Sequence, residues 1–300
     1  MGKVTVPSVR ARKVRSGADP IVMVTAYDAP GARIADEAGV DIILVGDSVA
    51  MVVLGHDSTL EVSVDEMVHH TAAVARSGAR SLIVADMPWL SYHLSVEDTV
   101  RNAAALVRAG AGAVKLEGGA KRVPMVSAIV DAEIPVMGHL GLTPQSVHAM
   151  GGFKVQGREQ GAADVLVEHA LALQEAGCFS LVLEGIPSEV GRIVTSAVDI
   201  PTIGIGAGPD CDGQVLVFHD VLGIEDRITP RFVRRYANLK SDAVAALEAW
   251  ANDVRTGGFP AAQESYHLPP GIETDHYPED PGATIGLYGA AAPTEESRTA

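Results

Sequence analysis

The apolar positions of this chain fall in short uninterrupted runs rather than in strict alternation. Ile21–Thr25 (IVMVT), Ile42–Val45 (IILV), Ser81–Ala85 (SLIVA) and Ala113–Leu116 (AVKL) are the first four. Ile134–Met137, Leu181–Leu183, Thr202–Ile205 and Gln214–Phe218 continue the series. A run that is apolar throughout reads as a strand buried on both faces, as in a parallel sheet covered by helices. Helical patterns fit between several runs, at Ala29–Ala38, Val64–Arg76, Val96–Ala109 and Ala162–Ala176, and Pro230–Asp253 follows the last. Eight such runs over about 250 residues have the size and rhythm of an α/β TIM (β/α)8 barrel. A doubly wound sheet is the alternative, but it usually needs fewer strands, and the chain has no clear split into two halves.

Two segments break the rhythm. Gly141–Gly161 is a long non-periodic insert after the fifth run, and loops of that length inside a barrel are usually functional lids. Beyond about Pro260 the periodicity is lost, and the chain ends PGATIGLYGAAAPTEESRTA. Residues 1–267 are therefore expected to form a single barrel domain and 268–300 a flexible tail.

In this architecture the active site lies at the C-terminal ends of the strands, so polar residues that end an apolar run are the ones to examine. Asp47 and Ser48 follow the second run, Asp86 the third, His139 the fifth and Glu184 the sixth. Lys115 and Glu117 sit at the end of the fourth, two residues apart, and so point to one face of their strand, expected to be the barrel interior. Asp47, Asp86 and Glu117 converging from separate strands would repel one another unless a cation joined them. An all-oxygen donor set suits Mg²⁺ better than Zn²⁺. One such aspartate alone would read as a helix cap or turn residue; the whole set at one barrel mouth reads as catalytic. His69–His70 lies in a helical pattern and reads as a surface feature. Gly204–Gly208 (GIGAG) resembles a barrel phosphate loop, though small residues there also permit tight packing.

Composition narrows the partners. Of 300 residues, 47% are apolar and 4% aromatic, enough for a large aliphatic core. The net charge of −15 disfavours nucleic acid and anionic membranes. Anionic small ligands remain open, because a metal or lysine can reverse the field in one cleft. Cys178 and Cys211 form no CxxC and no disulfide framework, which suits a reducing cytoplasm. Met1–Arg15 is basic without an apolar core and does not read as a signal peptide. No apolar run approaches the roughly 20 residues needed to span a bilayer.

These residues stand in longer stretches, among them VTAYDAPGARIADEAGVDIILVGDS, VADMPWLSY, AGAVKLEGG, GHLGLTPQSVHAMGGFKVQGR, LVLEGIP and IPTIGIGAGPDCDGQVLVFHDVLG. From about Val24 to Gly223 they closely resemble the ketopantoate hydroxymethyltransferase family of pantothenate synthesis. The resemblance implies a barrel of the phosphoenolpyruvate/pyruvate type, with Asp47 and Asp86 as Mg²⁺ ligands and Glu117 completing the metal site. It implies that Asp47, Ser48, Asp86 and Lys115 hold the keto acid, that Glu184 is the proton acceptor, and that His139 falls in the same pocket. It also implies 5,10-methylenetetrahydrofolate as cosubstrate and a homodecamer. His56 stands where the family often has Tyr, and Trp89–Leu90 replaces a more usual aromatic–Gly pair. Two other readings stay open. One is a related mutase or C–C lyase, which would need a phosphate site or a catalytic cysteine. The other is a non-catalytic barrel serving binding or assembly.

Overall fold

In a computed structural model of the chain, which describes residues 2–14, 17–159, 161–227 and 230–271, eight parallel strands close into one barrel in sequence order. They are β1 (Ile21–Thr25), β2 (Ile42–Val45), β3 (Leu82–Asp86), β4 (Ala113–Glu117), β5 (Val136–Gly141), β6 (Ser180–Glu184), β7 (Thr202–Ile205) and β8 (Gly213–Leu216). β8 pairs back onto β1, so no edge strand is left open. Helices cover the outside, and several begin where a side chain takes up the free N–H groups of the first turn. Asp28 accepts from Gly31 N at 2.7 Å, Ser95 accepts from Asp98 N at 3.0 Å, and Ser63 and Glu66 cap each other reciprocally.

The period of two along each strand sorts the side chains into two cores. Ile42, Leu44, Leu82, Val84, Ala113, Met137, Val182, Ile203 and Val215 point inward and pack on one another. Their neighbours Ile43, Val45, Ala85, Val114, Leu116, Leu181 and Leu183 point outward. They meet Met67, Val74, Leu106, Ile129, Leu173 and Val194 of the surrounding helices. Each fully buried aliphatic side chain of this kind contributes about 1.5–3 kcal/mol relative to exposure. The same parity decides where the polar residues go. Two residues beyond inward Val84 is Asp86; beyond inward Ala113 come Lys115 and then Glu117; His139 follows Met137 and Glu184 follows Val182. The site is thus the last inward layer of the barrel, set on an apolar stack.

The opposite end is closed by the N-terminal segment, where sequence patterning shows no element. A five-residue helix, Val6–Arg10, is capped by Thr5 and buries Val9 in the inner core, with Val4 and Val6 against it. Lys13 then reaches Asp212 at 2.7 Å and the carbonyl oxygens of Thr195 and Ile200 at 2.8 and 3.0 Å. Asp212 also accepts from Val14 N and Thr202 N, so this buried ion pair is hydrogen-bonded on both sides.

Two elements differ from the pattern-based expectation. β5 runs on past Met137 to Gly141, because the register Leu140↔Leu183 and Gly141↔Glu184 with β6 continues the ladder through residues of low strand propensity. The last helix is Leu239–Thr256, not Pro230–Asp253. The chain ahead of it is bonded elsewhere: Tyr236 N donates to Val221 O and Leu239 N to Leu222 O, and Asn238 O then accepts from Ser241 N and Asp242 N as the helix begins. Among the described residues, those up to 243 form one compact unit and those from 244 a second. Val244, Leu247, Trp250 and Val254 recur three or four residues apart and so share one side of the helix. The expected tail from 268 falls outside the described residues after 271. Among the described residues, no helix is long and apolar enough to cross a membrane.

Candidate active site

The strand ends bring all seven singled-out residues to one mouth. Asp86 and Lys115 are register partners on β3 and β4, and Lys115 Nζ lies 2.6 Å from Asp86 Oδ1. Glu117 and His139 are partners on β4 and β5, with His139 Nδ1 at 3.2 Å from Glu117 Oε1 and 3.3 Å from Lys115 Nζ. The other face of the imidazole continues the chain, with Nε2 at 3.3 Å from Glu184 Oε2. Asp47 sits two residues beyond β2 and donates its backbone N–H to Asp86 Oδ2 at 3.0 Å. Ser48 follows and exchanges a hydrogen bond with the Tyr27 hydroxyl at 2.9 Å. Asp47, Asp86, Lys115, Glu117 and His139 are each no more than 5% exposed, whereas the Glu184 side chain is 15% exposed and faces the opening.

Glu184 is set by a close backbone approach. Gly141, at φ +94°, lies so near that a Cβ there would sit 2.2 Å from Glu184 O. Only glycine fits this contact and this conformation, so the ends of β5 and β6 are locked together where the functional side chains emerge.

Four carboxylates and two cations share this small volume. Burial, then Asp86 and Glu117, push the Asp47 carboxyl well above its usual range. Burial also raises Asp86, against the lowering effect of Lys115. For Glu117 burial is outweighed by His139 and Lys115, which hold it below its usual value. Burial and Lys115 would lower His139, yet Glu117 and Glu184 prevail and push it up to about 9. Lys115, against the effect of its burial, is raised by Asp86, Glu117 and Asp47 and is firmly a cation. Burial thus disfavours the charged forms of Asp47 and Asp86, and for Asp47 the neighbouring carboxylates add to it; a cation between the two would relieve both effects.

The amino-acid sequence between residues 3 and 262 matches the family described as Ketopantoate hydroxymethyltransferase. A 3-methyl-2-oxobutanoate hydroxymethyltransferase from Moorella thermoacetica is 56% identical over 88% of this chain and 98% of its own length. A second, from Bradyrhizobium diazoefficiens, is 59% identical over 89% of this chain and 90% of its own length. This chain belongs to the ketopantoate hydroxymethyltransferase family. Among solved structures, 2,3-dimethylmalate lyase, a member of the PEP mutase/isocitrate lyase superfamily, superposes with a TM-score of 0.56 at 19% identity, covering 93% of each chain. Phosphonopyruvate hydrolase, solved with oxalate and Mg++, superposes with a TM-score of 0.57 at 16% identity over 88% of this chain and 93% of that one. At that identity the likeness is one of fold, and the fold is the expected TIM (β/α)8 barrel.

Within the family's barrel mouth, three residues stand out that strand-end reasoning does not reach. Tyr27, Tyr92 and Gln145 are buried in loops, and each hydrogen-bonds a strand-end residue or its partner. They lie inside the quoted family stretches, and that is the only signal in the sequence that marks them. The departures at His56 and Leu90 also find places. His56 pairs with Glu61 at 2.9 Å with both side chains about half exposed, and Leu90 takes a left-handed φ of +66° where glycine is more usual. His70 is not a surface feature, since its Nδ1 lies 2.8 Å from Tyr27 O. His69 is exposed. In the GIGAG loop, Cβ atoms at Gly206 and Gly208 would meet Phe232 at 2.6 Å and Ser188 at 2.4 Å, so close packing accounts for the small residues.

The donor set fits a hard divalent cation. Asp86 Oδ1 is buried and has no aligned hydrogen-bond donor, despite Lys115 beside it. Among the described residues, no group of three or more His, Cys, Asp or Glu side chains is arranged to hold an ion unaided. Mg²⁺ needs no such cage, because it keeps several waters and binds through one or two carboxylates plus substrate. Glu117 already receives Gln145 N and His139, and Asp86 receives Lys115 and Asp47 N, whereas Asp47 takes Gln145 Nε2 on Oδ2 alone and so has the most donor capacity left for a cation.

Proposed function

We propose that this chain transfers a hydroxymethyl group from 5,10-methylenetetrahydrofolate to 3-methyl-2-oxobutanoate, forming 2-dehydropantoate for pantothenate and coenzyme A synthesis. The observation that carries the reading is the pairing of Lys115 with Asp86 and of His139 with both Glu117 and Glu184 at the mouth of a barrel whose sequence matches this family over residues 3–262. Asp47 and Asp86 would hold Mg²⁺, with Glu117 completing the negative charge of the site. When bound, the cation supplies Lewis-acid polarisation of the keto group, worth several kcal/mol to an enolate.

The residues divide the remaining work. Lys115 and Ser48, with Asp47 and Asp86, bind the keto acid, Lys115 placing positive charge against its carboxylate or developing enolate oxygen. Glu184 takes the C3 proton, and the C–H electron pair passes into the enolate. His139, held as a cation between Glu117 and Glu184, orients the Glu184 carboxylate toward the opening. The C3 carbon then bonds to the methylene carbon of the folate as one of its two C–N bonds breaks, and water replaces the second nitrogen at that carbon, releasing 2-dehydropantoate and tetrahydrofolate.

A mutase or C–C lyase reading is disfavoured by the cysteines. Cys178 is buried and pushed up to about 12 by burial, and Cys211 is raised too, so neither is a ready thiolate. A non-catalytic module is disfavoured by the retention of acid, base and lysine in one contact network. The acidic chain fits small-molecule partners rather than nucleic acid or a membrane surface, and the reaction belongs to the cytoplasm. The apolar stripe Val244, Leu247, Trp250 and Val254 along helix Leu239–Thr256 supports a homo-oligomer, for which the family resemblance suggests a decamer. The deciding experiment is product analysis after incubation with 3-methyl-2-oxobutanoate, methylenetetrahydrofolate and Mg²⁺. Formation of 2-dehydropantoate is expected, and its absence with folded protein would overturn the assignment.

A further inference from the structure

Just past β5 the chain makes a short turn, Pro144–Ser146, and its one buried side chain, Gln145, reaches the strand-end residues. We propose that Gln145 is the positioning residue that sets the Asp47 and Glu117 carboxylates, and that Tyr92 acts through it by fixing which way its amide points. The proposal rests on the reading of Asp47, Asp86 and Glu117 as the cation-binding set.

Gln145 is 5% exposed, and its side-chain amide and backbone N–H are all in use. Its amide nitrogen has two hydrogens and two acceptors, Asp47 Oδ2 at 2.9 Å and Met87 O at 3.0 Å. Its amide oxygen accepts from the Tyr92 hydroxyl at 2.5 Å. Its backbone N–H goes to Glu117 Oε2 at 3.0 Å. One residue of the insert therefore ties together the chain after β2, the chain after β3 and the end of β4.

A primary amide turned by half a rotation keeps its shape and exchanges its oxygen and nitrogen. In the turned state its oxygen would face the Asp47 carboxylate and the Met87 carbonyl, both acceptors, and the contact would be repulsive. The Tyr92 hydroxyl prevents this. It accepts from Glu117 N at 3.2 Å, which leaves its own proton for the amide oxygen. The Arg122 guanidinium lies 5.4 Å from the centre of the Tyr92 ring and packs over it. Every member of the network is satisfied, which is the condition under which a buried polar network specifies a single geometry.

The choice of a neutral amide has a consequence for the site. A lysine or arginine at this position would also hold Asp47, but it would cancel the negative charge that draws a cation. Gln145 orients the carboxylates and leaves their charge intact.

The test uses the full chain with Gln145→Leu, Tyr92→Phe and the double variant. Mg²⁺ affinity is read by titration calorimetry without substrate, keto-acid KM and saturated kcat by turnover, and folding by thermal melting. A hydrogen bond to a charged group is worth about 10- to 100-fold in affinity, so Gln145→Leu is expected to weaken Mg²⁺ and keto-acid binding by that factor. Its kcat at saturation should stay within about threefold, because the lost interaction is not specific to the transition state. Tyr92→Phe should shift the same affinities less, and the double variant should bind no worse than Gln145→Leu alone. Unchanged affinities in Gln145→Leu, or costs of the two single changes that simply add, would overturn the proposal. Should Gln145→Leu fail to fold, Tyr92→Phe decides alone, since wild-type Mg²⁺ and keto-acid affinity in that variant would equally overturn it. If the unaltered chain binds no Mg²⁺, the cation reading itself fails. Keto-acid binding in the same variants then decides the role of Gln145.

Discussion

Replacing Glu184 by Gln tests the assignment of the base. The amide keeps the shape of the carboxylate and one acceptor oxygen, so it can still meet His139 Nε2, which lies 3.3 Å from Glu184 Oε2. His139 keeps its other carboxylate, Glu117, at 3.2 Å, and the Lys115–Asp86 contact on the next strands is untouched. Mg²⁺ and keto-acid affinity should therefore change little. What the amide cannot do is accept the C3 proton. Loss of a positioned general base lowers the rate by about 10²–10⁴, which corresponds to about 3–5 kcal/mol of barrier. The step can be isolated from the cosubstrate. Unaltered protein with keto acid and Mg²⁺ in deuterated water should exchange the C3 hydrogen, followed by NMR, and Glu184→Gln should be nearly silent. Exchange by the variant at the wild-type rate would remove Glu184 from the role. His139 would then be the next residue to vary, although Glu117 and Glu184 hold it as a cation that must first give up its own proton.

Other changes probe the rest of the framework. A chelator should abolish turnover and Mg²⁺ restore it, and Asp47→Ala or Asp86→Ala should weaken both metal and keto-acid binding; full turnover in metal-free protein would sink the cation reading. Lys13→Met leaves Asp212 buried without its cation, so thermal denaturation should show a loss of about 3–5 kcal/mol. Mg²⁺ affinity at the opposite end of the barrel should be unchanged, and equal stability would mean that the pair contributes nothing. Asp220 is pushed up to about 6 by burial and by Glu225. The folded state therefore holds this proton more tightly than the unfolded chain does, and this group's contribution to stability falls as pH rises from about 4 to about 6. Asp220→Asn should accordingly stabilise the protein near pH 7 by about 1 kcal/mol, discounted for its partial exposure, and have little effect near pH 4. A melting-temperature gain of equal size at both pH values would refute that cause. Finally, removal of the residues beyond about Pro270 should leave turnover intact, given a composition that builds no core; a folded but inactive truncated chain would assign the tail a role.

Much of the fold and the charged site is legible in the one-dimensional pattern, for an identifiable reason. Parallel strands buried on both faces require apolar runs, and the barrel requires its polar residues to gather where those runs end. Asp86, Lys115, Glu117 and Glu184 are therefore found by looking at the last residues of three runs, and period-two geometry already turns Lys115 and Glu117 inward. β5 is shorter in the sequence than in the barrel, because Gly138, His139 and Gly141 have no strand preference of their own and are held by pairing to β6. The last helix begins later than its periodicity suggests, because the backbone at Tyr236 and Leu239 is bonded to Val221 and Leu222.

What the sequence by itself determined was the number and order of the strands, the face each strand-end residue uses, and the excess of carboxylate over cation at the mouth. These follow from local rules: period, propensity and the chemistry of side chains a few residues apart. Only the tertiary structure decided how those charges are partnered. The His139 bridge from Glu117 to Glu184, the Gln145 amide between Asp47 and Tyr92, and the Lys13 pairing with Asp212 each join residues far apart in the chain. Lys13 and Asp212 are 199 positions apart and Gln145 and Asp47 are 98 apart. No local pattern encodes a contact at such separations, because it exists only once barrel closure has excluded water and left each buried polar group to find a partner inside the protein.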